Sequence, residues 1–96
     1  MSPINKKKIN LIRIKLDKLD TELLKLIKKR SNLVNDVLKV KVHKKEIIDQ
    51  KRINFILKKI KLKSIQLNID PKITNRIWKN MIWSFIDYEK RNFKKK

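Results

Sequence analysis

INLIRIKLDKLDTELLKLIKKRSNLVNDVLKV, residues 9–40, is the stretch whose reading decides the fold. Ile9, Leu16, Leu23, Arg30 and Val37 recur every seven residues, interleaved with Ile12, Leu19, Leu26, Leu33 and Val40. On a helix such a repeat forms one continuous stripe. The spacing predicts a helix over residues 5–42, far longer than the average of about 11–12 residues. A chain this short has too little core to bury so long a stripe alone, so a second copy is the expected cover. One position breaks the pattern: Arg30 puts a guanidinium where an aliphatic side chain belongs. An unpaired buried charge costs several kcal/mol or more, so an anion from protein or ligand is expected to meet it.

Two further cations border the same face. Arg13, Asp20, Ile27, Val34 and Lys41 form the neighbouring seven-residue row. At a rise of ~1.5 Å per residue, Arg13 and Lys41 stand about 42 Å apart along a straight helix, whereas Arg30 and Lys41 stand about 16 Å apart. Only the second pair can converge on one small ligand through long side chains. If all three cations serve one site, Arg13 must come from another subunit.

Composition narrows the possibilities. The 96 residues imply a single domain over 1–96 with a basic tail at 94–96. Glycine, cysteine and alanine are absent, so disulfides, thiol nucleophiles, thiolate metal sites and glycine-rich phosphate loops are excluded. His43, the only histidine, forms no zinc site by itself, and neither metal nor cofactor is expected. Lys6, Lys7 and Lys8 precede no continuous apolar run, because Arg13, Lys15 and Asp17 interrupt it; an export signal is not expected. No apolar run approaches the ~20 residues of a membrane span, so a cytoplasmic protein without membrane contact is expected. The net charge of +19 invites nucleic acid. Against that, 23 of the 28 cations are lysines spread along the chain rather than clustered arginines among aromatics. A basic helical nucleic-acid-binding dimer therefore stands as the alternative of another class.

Beyond the long stripe the pattern breaks over Val42–Ile48. Asp49 is placed to cap a second helix running to Leu67, with Ile53, Ile56, Leu57 and Ile60 on one face. Asp70 followed by Pro71 marks the start of a third helix, an N-cap and a proline at the first helical position. Ile73, Ile77, Trp78, Met81, Ile82 and Phe85 carry its apolar stripe, and four residues further the stripe arrives at Glu89. The reading is an all-α chain of three helices with a very long first helix.

The ionisable residues that break apolar faces are Arg13, Arg30, Lys41 and Glu89, joined by Asp49 and Arg52 at the start of the second helix. Several cations with bidentate arginine geometry suit a small polyanion such as a dicarboxylate. No nucleophile stands beside a base.

In order and spacing, these residues resemble the short all-helical chorismate mutases and their relatives, the isochorismate pyruvate lyases. The resemblance rests on Leu11-Ile12-Arg13 with Leu19-Asp20, Lys29-Arg30, Val40-Lys41, Asp49-Gln50-Lys51-Arg52, and Ile77-Trp78 through Asp87-Tyr88-Glu89, over residues 9–93. It implies an intertwined homodimer whose two sites each borrow an arginine across the interface. It also implies a cofactor-free isomerase that converts chorismate to prephenate, on the shikimate route to phenylalanine and tyrosine. By resemblance, Arg30 and the partner subunit's Arg13 grip the substrate carboxylates. Lys41 donates to a carboxylate and to the ether oxygen, and Asp49 and Arg52 order the ring-hydroxyl end. Glu89 aligns with a position that is often glutamine and donates to the ether oxygen; a glutamate donates only when protonated.

Two residues depart from the mutase pattern. Ile53 follows Arg52 where some mutases have a glutamate for the ring hydroxyl, and Phe85 replaces a small hydroxyl residue. Both changes look like the lyases, so cleavage of isochorismate to salicylate and pyruvate is the alternative activity. Plainer roles exist for each residue taken alone: Arg13 pairing with Asp17, Lys41 as a solvated charge, Asp49 and Arg52 as helix caps, Glu89 in solvent beside Lys90 or Arg91. The conjunction favours the functional reading.

Overall fold

The computed structural model describes residues 2–95. The architecture is all-α: α1 (Pro3–Val40), a single 3-10 turn (Lys44–Ile47), α2 (Gln50–Gln66) and α3 (Pro71–Asn92), with no strand among the described residues. Two compact units divide the chain, one ending at Leu33 and the other beginning at Val34.

α1 is 38 residues long, about 57 Å at the helical rise. It begins two residues earlier and ends two earlier than the periodicity alone predicts. Its start is set by Ser2, whose Oγ accepts from the Asn5 amide at 3.2 Å, with Pro3 at the first helical position. In the first unit the stripe faces outward: Leu16, Leu23 and Leu26 are 51%, 54% and 59% exposed. That exposure agrees with a helix too long to cover itself.

The second unit holds the core. Leu38, Ile47, Ile53, Ile82 and Ile86 are buried together, with Ile56, Leu57 and Phe93 packed against them. α2 and α3 pack on each other, and their junction is closed without glycine. Asn68 adopts φ 56°, the left-handed conformation that asparagine tolerates at a helix end. Around it the Ile69 amide donates to the Ser64 carbonyl at 2.8 Å and the Asn68 amide to Ile65 at 3.1 Å, the paired bonds of a Schellman cap. Asp70 then accepts from the Lys72 amide at 2.9 Å and starts α3, as the sequence predicts. The Ser64 and Thr74 hydroxyls, both buried, lie 2.7 Å apart across the junction.

Candidate active site

α1 ends at Val40, and Lys41 is the next residue, its amide bonded to the Leu38 carbonyl at 3.2 Å. From there its side chain meets α3: Nζ donates to Glu89 Oε1 at 3.2 Å and approaches Oε2 at 3.5 Å. Side-chain exposure is 17% for Lys41 and 7% for Glu89. Glu89 follows Ile82 and Ile86 along one face of α3, all three buried, because positions three and seven apart share a helix face. A carboxyl group enclosed in that way is costly unless an ammonium compensates it, and Lys41 does so. The solvated readings of both residues are thereby overturned; it is Arg91 that makes the local surface bond, to Asp87 at 2.8 Å.

At the start of α2, Asp49 Oδ1 accepts from the Arg52 amide at 3.0 Å. Their contact is thus a helix cap, made to the backbone rather than to the guanidinium. The Arg52 side chain is exposed and lies over the Phe55 ring, 5.3 Å from its centroid. Ile53 turns into the core at 6% exposure, since it lies on the face of α2 that meets Ile82 and Ile86. Phe85 is half-buried on α3.

Arg13 and Arg30 both lie on α1 in the unit that ends at Leu33. Arg13 is exposed and Arg30 half-buried. Seventeen residues of helix separate them, about 26 Å, so one chain cannot bring both to the same small molecule. Lys41 and Glu89 are brought together, Asp49 and Arg52 share a cap, and these four belong to the second unit.

Sequence reading passes over Glu46. Its Oε2 accepts from the Val42 amide at 2.7 Å and from the His43 amide at 3.0 Å. Bonds from the His43 and Val42 amides hold its pKa below the usual carboxylate value. The spacing to His43, three residues, is that of a capping box, but histidine is not among the side chains that mark one in a sequence, so no sequence signal singled Glu46 out. Tyr88, next to Glu89, directs its hydroxyl to Asn35 Oδ1 at 3.4 Å. Among the described residues no three His, Asp or Glu side chains gather as metal ligands would. No helix among the described residues is long and apolar enough to cross a membrane.

A polar pair enclosed by aliphatic side chains can bind and polarise a small oxygen-bearing ligand by hydrogen bonding alone. Among known families, the family model chorismate mutase type II matches residues 12–90, a span that includes Arg13, Arg30, Lys41, Asp49, Arg52 and Glu89. No curated protein and no solved structure matches. With a match over most of its length and an all-helical fold, the chain belongs to the chorismate mutase type II family.

Proposed function

We propose that the protein is a cofactor-free chorismate mutase that rearranges chorismate to prephenate. The observation that carries this reading is the enclosed Lys41–Glu89 pair, within the span that places the chain in its family. In the rearrangement one carbon–carbon bond forms as the ether carbon–oxygen bond breaks, so negative charge develops on the ether oxygen. Lys41 donates to that oxygen and to a substrate carboxylate, and Glu89 stands beside it as the second group at the same oxygen.

In this reading Arg30 and the partner subunit's Arg13 hold the two carboxylates, selecting the compact conformer in which the reacting carbons meet. Asp49 and Arg52 order the ring-hydroxyl end, with Ile53 and Phe85 shaping that end. The working unit is a homodimer with shared sites. The outward stripe of α1 and the length of helix between the two arginines support that assembly. The enzyme acts in the cytoplasm on a small dianion, and its cationic surface is not used to bind nucleic acid.

Proton NMR of the protein incubated separately with chorismate and with isochorismate tests the reading. Prephenate as the main product supports the mutase. Faster formation of salicylate and pyruvate from isochorismate assigns the lyase activity instead. Turnover of neither, with oligonucleotide binding that weakens steeply as salt rises, would return the chain to the nucleic-acid class.

A further inference from the structure

Nine residues, 41–49, join α1 to α2 without a proline or a glycine, and the first of them is Lys41. A lysine ammonium sits on a flexible four-carbon stem. Its placement needs both ends fixed. Glu89 holds the far end; the near end is the backbone at the exit of α1, where the helical ladder has finished.

Glu46 holds that near end. Its carboxylate takes the amides of Val42 and His43, the two residues after Lys41, at 2.7 and 3.0 Å. Glu46 is itself held on both sides: its own amide donates to the His43 carbonyl at 3.0 Å, and the next residue, Ile47, is only 3% exposed in the core with Leu38 and Ile82. An unbroken run of contacts thus leads from the core through Ile47 and Glu46 to the backbone beside Lys41, and through its side chain to Glu89.

We propose that Glu46 is a positioning residue for the reaction: by clamping the Val42 and His43 amides it aims the Lys41 ammonium at the place where the ether oxygen is stabilised. The inference rests on the mutase reading for its kinetic consequence and on the hydrogen bonds alone for its structural one. The lowered pKa of Glu46 is in keeping with a carboxylate serving as the acceptor. Misplacing a catalytic group by an ångström is enough to cost on the order of a hundredfold in rate.

The test is a double-mutant cycle on the full chain with Glu46→Ala, Glu46→Gln, Lys41→Met and the Glu46→Ala/Lys41→Met pair. Glu46→Ala is expected to lower kcat about tenfold with KM changed less than about twofold, the split of a transition-state interaction. Glu46→Gln restores most of the rate, because its amide oxygen still accepts both N–H groups. In the Lys41→Met background Glu46→Ala has no further effect on kcat. A full tenfold loss persisting without Lys41 overturns the proposal, as does a Glu46→Ala protein that melts earlier but turns over at the wild-type rate. If wild type converts no chorismate, the mutase reading fails, and NMR of the lysine ammonium groups decides the clamp. A Lys41 ammonium signal present in wild type and in Glu46→Gln but lost in Glu46→Ala supports it; an unchanged signal in Glu46→Ala refutes it.

Discussion

Lys41 Nζ stands 3.2 Å from Glu89 Oε1, although 48 positions separate the two residues in sequence. The contact joins the exit of α1 to the last turns of α3, and it places an ammonium and a carboxyl group where neither is well hydrated. Removing one partner leaves the other enclosed and uncompensated. Lys41→Met is therefore expected to lower stability by about 3 kcal/mol, the cost of breaking a buried pair on one side. Urea denaturation of the variant checks this, and a midpoint equal to that of wild type would show the pair to be energetically idle.

Glu89 is proposed as the second group at the ether oxygen, a place where a glutamine amide can also donate. Glu89→Gln is therefore expected to retain turnover of chorismate, whereas Glu89→Ala, which removes the group, should lower it by about a hundredfold. An alanine variant as active as wild type would remove Glu89 from the reacting atoms.

The two arginines of α1 make a prediction about assembly. Arg13→Ala and Arg30→Ala should each lower turnover by at least about a hundredfold, the scale of losing a donor to developing or fixed negative charge, with helix content unchanged by circular dichroism. Mixing the two inactive proteins in equal amounts and allowing subunits to exchange should restore about a quarter of wild-type activity. Half of the dimers are then mixed, and each contains one site with both arginines intact. No recovery on mixing would argue that each site is built within one chain.

Acid sensitivity is expected at the clamp between α1 and α2. The pKa of Glu46 is lowered by the amides it accepts, so its contribution is fully present above the unfolded-state value. The contribution is lost as pH falls through the depressed folded-state value. The protection of the Val42 and His43 amides against hydrogen exchange, read by NMR relative to the intrinsic rate at each pH, should fall over that acid window in wild type. In Glu46→Gln exchange should show no such step, since the amide does not titrate there.

Ile47 is the most buried aliphatic residue among those described, at 3% exposure, though it lies in a single 3-10 turn. Ile47→Ala should cost about 2–4 kcal/mol, the transfer and cavity terms of a large-to-small core change. A core of five buried aliphatics leaves little reserve, so the variant should unfold at clearly lower urea concentration. Substituting Ile65, which is 54% exposed, should change stability by less than about 0.5 kcal/mol.

How far the sequence could be read depended on the range of each signal. The α1 stripe, the break beyond it to within two residues, the Asp49 and Asp70 caps and Pro71 were legible because periodicity, capping and the fixed φ of proline act within a few residues. Ser2 with Pro3 is a cap of the same local kind, lying ahead of the helix that the heptad pattern predicts, whereas Glu46 follows His43, which is not a usual capping residue. Arg30 and Glu89 stood out for a local reason too, as charges on apolar faces.

What the sequence alone determined, then, is the three helices and, to within a turn, their boundaries, because those follow from backbone hydrogen bonding and side-chain period along one stretch of chain. Only the tertiary structure decided which isoleucines form the core: Ile47, Ile53, Ile82 and Ile86 are buried, whereas Ile65, Ile73 and Ile77 are about half exposed or more. These side chains are chemically identical and differ only in the direction they face once α2 and α3 are paired. The same holds for Lys41, one lysine among 23, singled out when packing of the second unit brings its ammonium to Glu89 and withdraws both from water.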